Sequence, residues 1–125
     1  MKNILLVAFG GGLGSVARYL LSLYIVKNSN GTFPLATLVV NVIGCLLIGL
    51  LFGLAERSGF LSAELRLLLA VGFCGGFTTF STFSNETFEL MRGGQVYSAL
   101  FYILLSVLLG FFAVMLGYKL ITLIR

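Results

Sequence analysis

The sequence predicts an all-helical integral membrane protein with four transmembrane helices, and three observations predict it. Apolar residues make up 59% of the 125 residues and charged residues only 10%, whereas a soluble domain carries about 25% charge. The mean hydropathy is +1.11. Apolar runs recur four times between short polar stretches, each near the ~20 residues that cross a bilayer as a helix. That leaves short loops and a single membrane domain over residues 1–125.

The first span is expected over about residues 4–26. Its opening, with Lys2 ahead of Ile4, imitates a signal peptide. No small-x-small cleavage site closes it and the apolar run continues to Val26, so it reads as a span. Within it Gly12-Leu13-Gly14-Ser15-Val16-Ala17 fits the G-x-G-x-x-A pattern of dinucleotide-binding folds. The context fails. That fold places an acid about 20 residues downstream and alternates strands with helices, but the first acid here is Glu56. These glycines read as a packing surface.

A polar loop at residues 27–32 ends at Pro34, the only proline, and the second span follows over about residues 35–55. The loop at residues 56–64 carries Ser62, an N-cap for the next helix. The third span, about residues 65–91, is expected to be broken near Gly75-Gly76, because paired glycines followed by alternating hydroxyls and phenylalanines make a poor lipid-facing helix. The turn Arg92-Gly93-Gly94 leads to the fourth span, about residues 96–124. Gly10 and Gly14, Gly49 and Gly53, and Gly72 and Gly76 each match small-xxx-small, which serves packing within one chain or between chains.

The net charge is +4, with bases scattered near span ends where they meet headgroups. No basic run with interleaved aromatics exists, so a nucleic-acid partner is excluded. Four spans place both termini on one side, together with Lys2, Arg57, Arg66, Lys119 and Arg125, against Lys27 and Arg92 opposite. So mild a bias specifies orientation weakly and admits insertion both ways round. Cys45 and Cys74 fall within spans and read as small apolar packers. There is no histidine, and no catalytic constellation points to an enzyme. Four helices enclose no wide polar pathway, so a pore or carrier this small implies self-association.

Broken backbone at membrane depth belongs where it is buried in protein or lines a cavity, so function is sought at the third span. Phe80 and Phe83 share a helical face, with Thr79, Ser81, Thr82 and Ser84 around them. Thr37 and Asn41 share a face of span two, and Tyr102, Ser106 and Gly110 a face of span four. Polar groups in hydrocarbon need partners, so these stripes turn inward. They are mainly neutral donors, beside phenylalanine's positive ring edge, a lining that passes a small anion without trapping it. A cation route would carry carboxylates. The alternative stands beside it: the phenylalanines pack, and the hydroxyls bond their own helix.

Residues 75–84, Gly75-Gly76-Phe77-Thr78-Thr79-Phe80-Ser81-Thr82-Phe83-Ser84, with Asn41-Val42-Ile43-Gly44 and Gly14-Ser15-Val16-Ala17-Arg18-Tyr19, resemble the Fluc/CrcB fluoride channel family across essentially the whole chain. The resemblance implies a homodimer of antiparallel, dual-topology chains in a bacterial plasma membrane. It would have two narrow pathways and passively export fluoride under the membrane potential, lowering fluoride toxicity. Phe80 and Phe83 would meet fluoride through ring edges and Asn41 would donate from span two. Ser81, Thr82, Tyr102, Ser106 and Thr37 would complete the lining. Gly110 stands where some relatives have a further serine, which shortens the polar track. The resemblance also implies a structural sodium ion at the dimer centre, held by the carbonyls of Gly75 and Thr78; a water-filled hinge is the other reading of such a break.

Arg18 and Glu86 are the charges that most need explanation. Arg18 either lines an anion-attracting vestibule or snorkels to headgroups, and it is a candidate ion-pair partner for Glu86. Glu86 and Glu89, on the last turns of span three, otherwise reach water or other bases. Two rival functions stand beside the channel. A small multidrug-type proton-coupled exporter would carry an acid in span one, where this chain has Arg18 and none. An accessory membrane subunit would transport nothing by itself.

Overall fold

Helix α1 (Lys2–Asn28) and α2 (Leu35–Glu56) form the first two spans. The third begins as α3 (Ala63–Arg66), widens into a π-helix (Leu67–Cys74), closes as α4 (Gly75–Phe77) and restarts as α5 (Phe80–Arg92); α6 (Val96–Leu123) is the fourth. This computed structural model describes residues 1–57 and 61–124. Part of the expected second loop, residues 58–60, and Arg125 of the charge count lie outside them. All four spans are long and apolar enough to cross a membrane.

Local chemistry sets the ends. Ser62 caps the third span as its position predicts, its hydroxyl accepting from the Leu65 N–H at 3.2 Å. After α5, Gly94 takes a φ of 78°, a left-handed conformation that glycine adopts freely. The turn then closes with the Gln95 N–H on the Leu90 carbonyl at 2.8 Å.

The break is real but displaced. Gly75 and Gly76 are helical, Gly75 with φ −62° and ψ −38°, and the chain leaves the helix at Thr78 (φ −82°, ψ 159°) and Thr79 (φ −151°, ψ 114°). The expectation near Gly75-Gly76 is corrected by a few residues, for a physical reason. A methyl group on Gly76 would lie 2.3 Å from the Gly11 carbonyl oxygen, so this glycine serves contact with α1. The break falls where a hydroxyl can start a new helix: the Thr79 Oγ1 accepts from the Thr82 N–H at 3.2 Å.

The other glycine pairs act likewise, within the chain. A methyl on Gly14 would stand 2.1 Å from the Phe73 carbonyl oxygen, and one on Gly10 2.2 Å from that of Leu68. These fix α1 against the π-helix. Gly49 (2.2 Å from the Val114 oxygen) and Gly117 (2.4 Å from that of Leu46) do the same for α2 and α6. In lipid, close backbone approach replaces the hydrophobic drive of water.

Buried Leu38, Leu90, Ala99 and Tyr102 form one core cluster, with Phe33 and Phe83 packed on it. Phe33 meets the Tyr102 ring edge-on at 5.5 Å. Cys74 is a buried packer, as expected. Large side chains such as Ile4, Phe9, Leu104 and Phe112 face outward, suited to acyl chains. Helix α5 departs from this pattern: Ser81, Thr82, Ser84 and Asn85 are exposed on it.

Candidate functional site

The site is built from the interrupted third span upward. Thr78 closes the first half: its N–H and its Oγ1 both donate to the Cys74 carbonyl, at 3.0 and 2.9 Å. Thr79 is extended and pairs with span two. Its N–H donates to Asn41 Oδ1 at 2.8 Å, and Asn41 Nδ2 donates back to its carbonyl at 3.1 Å. Two cavities flank this residue, and Thr79 lines both.

The larger cavity, about 350 Å³, is lined by Asn41, Thr78, Thr79, Phe80, Phe83 and Ser106, with Gly44, Cys45, Ile48, Val107 and Val114 as its apolar wall. No ionised side chain is in that lining. Ser106 Oγ is buried there without a hydrogen-bond partner among the described residues, so its donor is free for an occupant. Phe83 leans on Tyr102 at 5.0 Å and on Phe80 at 5.7 Å. Phe80 is 79% exposed in the single chain.

The smaller cavity, about 210 Å³, brings Arg18 together with Ser15, Tyr19, Ser22, Thr37 and Thr82. Arg18 is half-buried here. The suggested ion pair of Arg18 with Glu86 is not formed. The Glu86 carboxylate instead accepts from Thr37 Oγ1 at 2.7 Å and from Tyr102 O–H at 2.8 Å. Two short neutral donors satisfy a carboxylate without desolvating a guanidinium as well. Glu89 pairs with Arg92 at 2.7 Å.

Of the residues singled out from sequence, the structure thus gathers Asn41, Phe80, Phe83 and Ser106 around one cavity and Thr37, Thr82 and Arg18 around the other. Tyr102 lines neither and is fully buried, holding Glu86. Ser81 is exposed, 3.4 Å from Thr79 Oγ1. Gly75 is exposed in open space, where a methyl would meet nothing within 4 Å. Among the described residues, no hydrogen bond is donated to the Gly75 or Thr78 carbonyls. Free carbonyl oxygens are the donor set a hard cation takes, so these two fit a sodium ion.

Sequence reasoning missed two residues. Thr79 appeared only as one hydroxyl among several, whereas its extended backbone organises the site. Cys45 was read as a packer but lines the larger cavity, its Sγ 3.3 Å from where a methyl on Gly110 would lie. The absent side chain at Gly110 could have signalled that a neighbour fills the space.

The sequence model of the family described as "CrcB-like protein, Camphor Resistance (CrcB)" matches residues 5–118. The chain is also similar to curated proteins named fluoride-specific ion channel FluC. That of Flavobacterium psychrophilum is 52% identical over 94% of each chain. That of Azobacteroides pseudotrichonymphae is 46% identical over 94% of each. That of Phocaeicola vulgatus is 49% identical over 94% of this chain and 96% of its own.

Proposed function

The chain belongs to the CrcB family, and from that premise we propose that it is a fluoride-specific ion channel of a bacterial membrane, passing fluoride passively down its electrochemical gradient. One observation carries this beyond resemblance: a cavity beside a broken helix, lined by neutral donors and phenylalanine rings and by no ionised group. Fluoride is small and strongly hydrated. A route for it must replace water with donors at close range, and carboxamide, hydroxyl and ring-edge groups do so without binding it too tightly to leave. Arg18 in the adjoining cavity supplies the positive potential that draws anions inward.

The working unit is a homodimer of oppositely oriented chains. The exposed hydroxyl and amide face of α5 and the exposed Phe80 ring support it, since lipid is a poor neighbour for that surface. Gly75 and Thr78 would hold a structural sodium ion, two carbonyls from each chain, and the ion would supply positive charge at the dimer centre.

The test is efflux from fluoride-loaded liposomes containing only this protein. Fluoride is expected to leave rapidly and chloride to stay. A well-folded protein that passes neither ion would instead be an accessory subunit. Labelling with a small methanethiosulfonate reagent is expected to slow wild-type efflux several-fold through Cys45, and Cys45→Ala to abolish that sensitivity. Buried Cys74 lines neither cavity. Undiminished efflux after complete labelling of Cys45 would move the pathway elsewhere.

A further inference from the structure

The hydrogen bonds that would have continued the third span as a helix are not simply missing; two side chains take them. In an α-helix the N–H of residue 79 bonds the carbonyl of residue 75, and that of residue 82 the carbonyl of residue 78. Here the Thr79 N–H goes to Asn41 Oδ1 at 2.8 Å, and the Thr82 N–H goes to Thr79 Oγ1 at 3.2 Å. The two carbonyls deprived are those of Gly75 and Thr78, the same two that stand free of donors.

Asn41 suits its part chemically. An extended residue turns its N–H and C=O to one side, as in a β-ladder, and Thr79 at φ −151° and ψ 114° does so. A carboxamide presents acceptor and donor side by side and meets both groups at once, the Asn41 Nδ2 reaching the Thr79 carbonyl at 3.1 Å. A carboxylate has no donor to offer, and a hydroxyl is a single atom. One of the two Asn41 amide hydrogens is therefore committed to backbone, and one remains for an ion in the cavity.

We infer that Asn41 and Thr79 are positioning residues. By intercepting two helical hydrogen bonds they hold the third span open and keep the Gly75 and Thr78 carbonyls available to a monovalent cation. The last step rests on the proposed sodium site; the interception does not.

The experiment uses full-length protein in lipid, in sodium buffer without fluoride, and reads the backbone ¹³C shifts of residue 79 together with the sodium concentration for half-maximal thermal stabilisation. Asn41→Leu, close in shape but without polar atoms, is expected to move the residue-79 shifts from extended to helical values. It should also raise the sodium midpoint about tenfold, the size of one lost hydrogen bond. Unchanged extended shifts in Asn41→Leu would overturn the inference and leave Asn41 an ion-binding donor only.

Thr79→Val and Thr79→Ser make the second arm, decisive if Asn41→Leu does not fold. Serine keeps the acceptor for the Thr82 N–H and is expected to behave as wild type. Valine is expected to raise the sodium midpoint, and a midpoint equal to that of serine would overturn the role of Thr79. A wild type whose melting ignores sodium would remove the cation from the proposed function and leave the residue-79 shifts to decide the interception.

Discussion

Fluoride efflux is expected to fall at least about a hundredfold, a barrier increase near 2.7 kcal/mol, when Phe80 or Phe83 is replaced by isoleucine. Both rings line the larger cavity, and isoleucine keeps apolar bulk while removing the positive ring edge. The two positions differ in a useful way. Phe83 packs on Tyr102 at 5.0 Å, so part of any loss there is structural. Phe80 is 79% exposed in one chain, so Phe80→Ile is expected to leave protomer stability unchanged. The check is liposome efflux beside a melting curve and a sizing profile. Wild-type throughput in both variants would take the rings out of the pathway.

Gly14→Ala is expected to abolish folded protein almost as completely as Phe80→Ile abolishes flux. The added methyl would stand 2.1 Å from the Phe73 carbonyl oxygen and 2.8 Å from the Phe77 nitrogen. Side-chain overpacking typically costs about 1–3 kcal/mol because neighbours can turn aside. Backbone cannot, so α1 must separate from the π-helix along its length. Gly12→Ala is the control, since a methyl there meets nothing within 4 Å. In a helix interior that exchange stabilises by about 0.5–1 kcal/mol. Monodisperse yield and melting temperature separate the two, and equal behaviour would refute the packing account.

What was legible in the sequence follows from how far each signal reaches along the chain. Span positions came from composition alone, and the Ser62 cap from a rule acting over three residues. The glycine pairs marked the packed faces, and the structure settled that those faces meet within the chain. The break was placed near Gly75-Gly76 because glycine weakens helices, yet these glycines stay helical against α1 while Thr79 starts the new helix. Partners far apart left no local trace. Glu86 takes its donors from Thr37 and Tyr102 on other spans, and Asn41 reaches Thr79 across 38 residues. The roles of the phenylalanines and of the Gly75 and Thr78 carbonyls came from family resemblance, because no periodicity encodes them.

The wide-turned segment Leu67–Cys74 keeps time for everything after it. A π-turn closes its bonds five residues on instead of four, so a wheel drawn at 3.6 residues per turn loses phase across it. Deleting one residue there would leave an ordinary, tighter rod and swing Thr78 and Thr79 about 100° around the axis, carrying Thr79 away from the carboxamide waiting on α2. The angular setting of the whole downstream half is thus stored in a stretch of plain leucines, well upstream of the residues it aims.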